Sequence, residues 1–431
     1  MIKQLTILGG GPAGVTAAYF AQKNGLDFSL VERNKDLGGN ARTFTIGEFR
    51  FDTGAHRVHD KIPEVTQLLK SLLGEDLKEI EVPSYISIGD NFLDFPLSPG
   101  NLLKNMSVPN ILKSLGSFLF RKAIPVKGGD FSAKAINAYG DVIAQNLLLS
   151  YSQKLWGLPC EKLDPIVAGS RLKGLDFKSL IFDFLGKDKS RTRHLDGSFF
   201  YPTFGIGMIK DAFENTFDKA SVSTDSEVTE IRHDGKNITK IVSSKGEFES
   251  EQYLNTLPLN LVIRLLNPQP PQEIIDLAKE ISFRSLTLVV ILLDKESVTP
   301  AASIYFPDPD IPFTRVVEPR NRSRFMAPEG KTSLVVEVPH FEPTKNYEKE
   351  TIDILIERGL FARENVIETK QFTLPNAYPV LQLGAEEKVN ALVDYLSRFK
   401  NLKQSGRNAL FSYGHLHNMI IDAKNTVTKL F

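Results

Sequence analysis

The sequence has little cysteine and no net charge. Cys160 is the only cysteine among 431 residues, which excludes an internal disulfide framework and suits a reducing compartment. Lys plus Arg and Asp plus Glu both number 52, so no overall charge attracts the chain to nucleic acid or to an anionic membrane surface. An anionic small molecule would therefore have to be held by local cationic groups.

Long uncharged apolar runs and a secretory leader are also missing. The apolar N-terminal stretch, residues 2–14, lacks the basic start and the small-residue cleavage site of a signal peptide. No other stretch is long and apolar enough to span a bilayer. We interpret the apolar start as a buried strand and expect a cytoplasmic protein without a transmembrane segment.

The residues after this first predicted strand match a dinucleotide-binding fingerprint. Residues 3–8 are typical of a strand, the pattern G-x-G-x-x-G follows at once, and a helical pattern comes next. The first glycine permits a tight turn, the second lets the backbone approach a pyrophosphate, and the third lets the helix pack on the strand. The helix N-terminus then stabilises the phosphates without a basic side chain. The residues predicted at these phosphates are Gly9, Gly11, Pro12, Ala13 and Gly14.

A carboxylate follows the second predicted strand, residues 28–31, at Glu32. Its position is near the spacing of about 20 residues at which an acidic side chain binds the adenosine ribose. A 2′-phosphate would be repelled there. The alternative is a glycine-rich turn with an unrelated surface glutamate. However, the strand, the helix and Glu32 all stand at the positions that the fingerprint requires.

The run from Glu32 to Thr43 resembles the second signature of FAD enzymes in the amine oxidase superfamily. In those enzymes a paired glycine and an arginine carry the chain past the flavin pyrophosphate; here they are Gly38-Gly39 and Arg42. A flexible loop with a solvated arginine is the alternative. The resemblance implies FAD as the cofactor and adds the contacts Arg33, Gly39, Asn40 and Ala41.

Further segments, in the same order along the chain, resemble the UDP-galactopyranose mutases, with protoporphyrinogen oxidase and the amine oxidases as more distant relatives. These segments are Asp52 to His59, Phe92 to Leu97, Tyr151 to Gly157, Phe313 to Glu318, Ala377 to Val380, and Gly406-Arg407 followed by Tyr413. The resemblance implies an α/β fold, with a Rossmann-type FAD-binding domain and an inserted helical and antiparallel-sheet substrate domain. The FAD-binding domain is expected from residues 1–75, 196–260 and 371–431, and the substrate domain from 76–195 (hairpin and helical insert) and 261–370 (sheet).

The resemblance also implies roles for individual residues. The residues with an implied catalytic or substrate-binding role are His59, Arg315, Tyr378 and Tyr413. Tyr151 and Trp156 are implied to line the nucleotide pocket. Those at FAD are His56, Val228, Gly406, Arg407 and Leu416. Arg315 offers paired donors suited to phosphate, and tyrosines can donate while neutral.

Plainer interpretations stay open for several of these residues. Arg315 could form a salt bridge with Glu318, Trp156 could be a core residue, and the two histidines could be hydrogen-bonded interior groups. No cysteine or acidic set accompanies the histidines at ligand spacing, so we predict no metal.

Three departures put the substrate in doubt. Leu175 stands near the place where the mutases carry a second phosphate-binding arginine, and His415 where bacterial mutases carry an aspartate. The run from Phe200 to Gly207 is closer to the oxidase relatives. The hypothesis is therefore an FAD-dependent enzyme that resembles UDP-galactopyranose mutase and acts on a nucleotide sugar in cell-surface polysaccharide biosynthesis. An FAD-dependent oxidoreductase of the amine oxidase type with another small substrate is the alternative. The sequence does not predict an oligomeric state.

Overall fold

The computed structural model describes residues 3–89, 91–95, 108–167, 198–341 and 345–430. The helices within these ranges are α1 (Pro12–Lys23), α2 (Pro63–Leu73), α3 (Val108–Ala123), α4 (Phe131–Tyr139), α5 (Asp141–Ile143), a π-helical segment (Ala144–Leu149), α6 (Ser150–Trp156), α7 (Gly207–Glu214), α8 (Leu259–Leu265), α9 (Gln272–Glu280), α10 (Glu348–Glu357), α11 (Ala385–Ser397) and α12 (Leu416–Leu430). None of these described helices has the length and hydropathy needed to cross a membrane.

The strands come from all parts of the described chain. They are β1 (Lys3–Leu8), β2 (Phe28–Val31), β3 (Thr43–Ile46), β4 (Phe49–Asp52), β5 (Leu77–Ile80), β6 (Ser84–Ile88), β7 (Asn91–Phe95), β8 (Phe199–Pro202), β9 (Val222–Ser223), β10 (Val228–His233), β11 (Ile238–Ser243), β12 (Gly246–Phe248), β13 (Ser250–Asn255), β14 (Leu266–Asn267), β15 (Phe283–Leu293), β16 (Ser303–Tyr305), β17 (Arg315–Val317), β18 (Thr332–His340), β19 (Val366–Pro379) and β20 (Leu402–Gln404).

A parallel sheet carries the dinucleotide fingerprint. Its described strands have the order β20-β13-β1-β2-β9, and every neighbouring pair in it is parallel. Residues 5–8 of β1 and all of β2 are buried because helices cover both faces of a parallel sheet. Helix α1 lies against β1 and β2 and also against α12. The sheet therefore joins the two ends of the chain to its middle.

A second, larger sheet has the order β19-β15-β18-β17-β16-β6-β7 in the described chain. Its pairs are antiparallel except for β16 with β6. The two faces of β15 enter different cores: Leu286 and Leu288 pack in the cluster of Trp156, whereas Val289 and Ile291 pack in that of Phe306. Side chains at alternate positions of β15, β17 and β18 thus point toward the same side as Trp156.

The α/β fold class is confirmed, with a Rossmann-like sheet and additional sheet and helical regions. The helical insert predicted within residues 76–195 corresponds in its described part to α3 through α6. The predicted domain boundaries stay a proposal.

Candidate functional site

The glycine turn after β1 has the geometry that its three glycines predict. Gly9 has a φ of +96°, and its N–H donates to the carbonyl of Val31 at 2.8 Å. A Cβ on Gly14 would lie 1.9 Å from the Gly9 oxygen, so α1 packs on the turn at backbone contact. A Cβ on Gly11 would meet nothing within 4 Å. Gly11 thus borders open space at the start of α1, where a pyrophosphate would fit.

Glu32 lies inside the fold beside this turn and is not a surface residue. It is 6% exposed, and its carboxylate accepts the N–H of Gly10 at 2.7 Å and the N–H of Asn34 at 2.9 Å. The alternative of an unrelated surface glutamate is therefore wrong. Glu32 therefore stabilises the glycine turn, and its contact with the adenosine ribose stays a prediction.

The Gly38-Gly39 segment packs directly on the turn. Gly38 donates its N–H to the carbonyl of Gly10 at 2.7 Å, and a Cβ on Gly39 would lie 3.0 Å from the Gly11 Cα. Arg42 donates from Nε to the Gly39 carbonyl at 2.9 Å, and its burial lowers the pKa of the guanidinium. Arg42 is therefore an anchored side chain of this loop and not a solvated charge.

The other residues predicted at FAD differ in how close they lie to the turn. A Cβ on Gly406 would lie 2.6 Å from the Cβ of Ala13, so the Gly406 loop packs on α1. Pro12, Ala41 and Leu416 line one pocket beside that helix. Asn40 accepts a hydrogen bond from Thr53, Val228 packs in the apolar cluster of β1 and β2, and Arg33 is exposed.

Arg315 forms a buried ion pair, although not with the predicted alternative partner. Its Nε donates to Glu337 Oε2 at 3.0 Å, and its Nη2 donates to Oε1 at 2.7 Å. Glu318 instead accepts the N–H groups of Val298 and Thr299. The paired donors Nε and Nη2, which were expected to bind phosphate, therefore bind Glu337. This leaves Nη1, on the other side of the guanidinium, for a ligand. Burial lowers the pKa of Arg315, but the Glu337 carboxylate outweighs it and holds that pKa well above the ordinary value.

Glu337 connects Arg315 to the histidine segment. The carboxylate is 1% exposed and accepts the N–H of Ala55 at 3.0 Å. A Cβ on Gly54, which has a φ of +137°, would lie 3.4 Å from Glu337 Oε1. The turn at residues 54–56 and the arginine on β17 are therefore positioned by one buried carboxylate.

Arg407 lies between two aromatic rings with donors that have no acceptor. Its Cζ is 5.1 Å from the ring centre of Tyr378 and 4.7 Å from that of Tyr413. The Nε and Nη2 atoms are buried and make no hydrogen bond in the protein. These two atoms form one edge of the guanidinium, the edge that binds a carboxylate or phosphate bidentately. Trp156, 1% exposed, contacts both tyrosine rings edge-on.

Two further buried arginines were not singled out from the sequence. Arg284 donates from Nη2 to the carbonyl of Pro339 at 2.8 Å, but its Nε and Nη1 have no partner. Burial lowers the pKa of Arg284 to about 10. Arg322 donates to the carbonyl of His56 at 3.1 Å, and its Nε has no partner. Arg284 lies over the ring of Phe341, and Arg322 lies near Tyr201 and Asp52. A buried cationic donor without an acceptor costs free energy unless an anion compensates.

The two predicted histidines lie in different environments. Burial and then the charges of Arg322, Arg315 and Arg407 lower the pKa of His56 to about 3, so His56 belongs to the arginine cluster. Burial and then the charges of Arg57 and Lys61 lower the pKa of His59 to about 4. His59 packs 6.0 Å from the ring of Phe199. The charges of Arg315, Arg322 and Arg407 thus act on His56, whereas those of Arg57 and Lys61 act on His59.

These pKa values predict that acid destabilises the protein before its carboxylates titrate. Both histidines have an ordinary pKa of 6.5 and a lower one in the folded chain, so the unfolded chain binds more protons in between. The stability contributed by the neutral rings is present above pH 6.5 and is lost as the pH falls toward 4. Urea unfolding at several pH values should give a shallower pH slope for His59→Asn than for wild type. Equal slopes would contradict a neutral buried His59.

The remaining predicted residues complete this description. Tyr151 makes an edge contact with Tyr305, whose ring lies under Arg315 at 5.8 Å. His415 stacks on His417 at 5.5 Å. Leu175 and its neighbours in the sequence, Arg171 and Lys173, lie outside the described residues. Within the described residues, no three His, Cys, Asp or Glu side chains are grouped to hold a metal ion.

Comparisons with protein families and curated proteins match short parts of the chain. A family model described as an NAD(P)-binding Rossmann-like domain matches residues 7–72. The carotenoid 3,4-desaturase of Haloarcula japonica is 42% identical over 52 residues, which are 12% of this chain and 10% of the desaturase. The chain therefore matches only about a tenth of that relative's length.

Solved structures match over nearly the whole chain. A reduced UDP-galactopyranose mutase superposes with a TM-score of 0.85 at 19% identity, covering 99% of this chain and 94% of the mutase. A protoporphyrinogen oxidase from Exiguobacterium sp. 255-15 gives 0.76 at 14% identity, covering 99% and 98%. A putrescine oxidase variant gives 0.70 at 15% identity, covering 100% and 99%.

Fold and site together define a mixed α/β fold with a Rossmann-like dinucleotide-binding unit. The mutase, the protoporphyrinogen oxidase and the putrescine oxidase share this fold. FAD, the cofactor that the sequence predicts, is also the cofactor of these neighbours.

Proposed function

We propose that the protein binds FAD at the Gly9–Gly14 turn and uses it on an anionic small substrate, with a UDP-sugar as the substrate class. The Gly11 side of α1 offers room for the pyrophosphate, and Glu32 is placed for the adenosine ribose. When bound, FAD supplies a ring that accepts a hydride when oxidised and acts as a nucleophile when reduced. We also propose the division into FAD-binding and substrate parts given above.

The observation that carries the anionic substrate is the unpartnered Nε–Nη2 edge of Arg407 between Tyr378 and Tyr413. Arg284 and Arg322 add further buried donors without acceptors, whereas Arg315 has the carboxylate of Glu337. An anion would satisfy donors that otherwise cost free energy in the interior. A protonated amine would be repelled by the same charges, which disfavours an amine oxidase activity.

The alternative function is an FAD-dependent oxidoreductase with another small substrate. His415 at the position of a mutase aspartate favours it, as does the oxidase-like pattern at Phe200 to Gly207. In the structure Tyr201 donates a hydrogen bond to the buried carboxylate of Asp52. Burial raises the pKa of that carboxyl, and this polar pair fixes β8 beside the histidine segment.

Redox state separates the two functions. The mutase reaction leaves the overall oxidation state of its substrate unchanged yet requires reduced flavin. We therefore expect protein treated with dithionite to convert UDP-galactopyranose to its furanose isomer, and oxidised protein not to do so. Chromatography of the nucleotide sugars would measure this.

The Arg407→Lys variant tests the role of the paired donors, because lysine keeps the positive charge but lacks the planar donor pair. Its isomerisation rate should fall while the protein stays folded. Bleaching of the oxidised flavin by an amine, porphyrinogen-like or polyene substrate, without isomerisation after reduction, would instead establish the oxidoreductase.

A further inference from the structure

The solvent side of α3 is more apolar than a soluble helix requires. Leu112 is 62% exposed, Leu119 58% and Phe120 51%, and Ile124, just after the helix, is 57% exposed. Leu115 lies on the same side. Residues spaced by three, four and seven positions share one face of a helix, so these side chains form a continuous apolar surface.

The orientation of this helix is fixed by polar contacts on its inner side. Arg121 donates from Nε and Nη2 to the two carboxylate oxygens of Asp141, both at 2.8 Å. Ser117 donates to the same carboxylate at 3.2 Å, and Ser114 and Phe118 are buried. Ser114 and Phe118 thus face the protein, the Arg121–Asp141 pair lies at the edge of the contact, and several large apolar side chains face solvent.

The charge of the segment has one sign. Residues 108–129 contain four basic side chains and no Asp or Glu; the basic residues are Lys113, Arg121, Lys122 and Lys127. Lys113 and Lys122 are exposed with the leucines, and Lys122 Nζ lies 5.3 Å over the ring of Phe118. Arg121 is paired with Asp141, so Lys113, Lys122 and Lys127 are the uncompensated cationic groups of the segment that carries the apolar surface.

We propose that α3 is a membrane-docking surface that lies on an anionic lipid bilayer. Large apolar side chains flanked by lysines on one face are what an interfacial helix needs, because the apolar groups enter the headgroup boundary while the ammonium groups meet lipid phosphates. Docking of this kind needs no spanning helix and is reversible.

A second copy of the chain fits this surface less well. A two-fold contact through α3 would set lysines against lysines, with no acidic residue on the helix to offset them. The helix has 16 residues and is about 24 Å long, which is short for the roughly 800 Å² that each partner buries in a stable interface.

Flotation of the FAD-loaded protein with vesicles tests the proposal without using its enzymatic activity. The protein should bind vesicles of phosphatidylcholine mixed with phosphatidylglycerol, but not vesicles of phosphatidylcholine alone, and added salt should weaken binding. The double variant L112Q/L119Q should reduce partitioning about tenfold or more. The variant K113E/K122E should also reduce it, by about fivefold for each lysine lost.

Matched controls are Leu383→Gln and Lys349→Glu, which change an exposed leucine and an exposed helical lysine elsewhere. Both should bind as wild type does. Equal binding to neutral and anionic vesicles, no binding, or equal losses in the controls would overturn the proposal. Dimerisation in analytical ultracentrifugation that L112Q/L119Q abolishes would overturn it too, because the surface would then be an interface between copies. Loss of isomerase activity alone would affect only the proposed function.

Discussion

Replacing Arg315 by alanine should lower the free energy of unfolding by about 3–5 kcal/mol, because it leaves the buried Glu337 carboxylate without its counter-charge. Glu337 is 1% exposed and would keep only the N–H of Ala55 as a donor. The same variant should weaken UDP binding roughly ten- to a hundredfold, since a charged hydrogen bond is lost. Urea unfolding and calorimetric titration with UDP measure the two effects.

A double variant separates stability from ligand binding. R315M/E337Q removes both charges but retains an acceptor for Ala55 and much of the packing volume. Replacing both members of a buried pair costs far less than removing one, so its stability should return close to that of wild type. UDP binding should stay weak. Wild-type UDP affinity in the double variant would show that Arg315 does not contact the ligand.

Gly11→Val should lower FAD affinity about a hundredfold or more while leaving the colourless protein folded. Gly11 has a φ of −70° and a ψ of −177°, which valine adopts readily, and no atom lies within 4 Å of its Cβ position. The added side chain would occupy the space of the pyrophosphate and prevent hydrogen bonds from the helix N-terminus, each worth about 1.5–3 kcal/mol. Fluorescence titration with FAD and with FMN would measure this, and the wild type should prefer FAD.

Gly14→Ala is the matched comparison on the same turn. Its Cβ would lie 1.9 Å from the Gly9 oxygen, so even one methyl group must displace α1 from β1. We expect a loss of about 1–3 kcal/mol or more in the stability of the colourless protein. If Gly11→Val bound FAD normally, or destabilised the fold as much as Gly14→Ala, the assignment of the two glycines would be wrong.

Local patterns predicted the dinucleotide half of the fold well. The strands at residues 3–8 and 28–31 and the helix after the glycine turn lie where the sequence places them. Strand β19 (Val366–Pro379) was not predicted as a strand. It is an edge strand with many half-exposed polar side chains and with Pro375 inside it, so it lacks a clear alternation.

The candidate site, too, could be predicted only in part from the sequence. Arg315, Tyr378, Tyr413 and Arg407 were identified from sequence, but the partner of Arg315 was not. The irregular segment 318–331 joins β17 to β18, so periodicity does not reveal that these strands pair. A signal for Glu337 was nevertheless present: it is the one Asp, Glu, Lys or Arg in β18, an otherwise apolar strand. Arg284 is likewise the one such charge in β15. A lone charge in a buried strand indicates a partner or a ligand.

The origin of the parallel sheet in distant parts of the chain has a consequence for biosynthesis. Leu5 pairs with Gln252, and Tyr253 pairs with Leu402, so the contacts that complete this sheet have very large sequence separation. Contacts between residues far apart in sequence require the closure of long loops, which costs chain entropy before the contacts form. Folds with many such contacts therefore fold slowly. On the ribosome the edge of β1 stays open until β13 has emerged, and the edge of β13 stays open until residues near 404 have emerged. Gly406 then packs against Ala13, so the nucleotide pocket closes only after that segment has emerged.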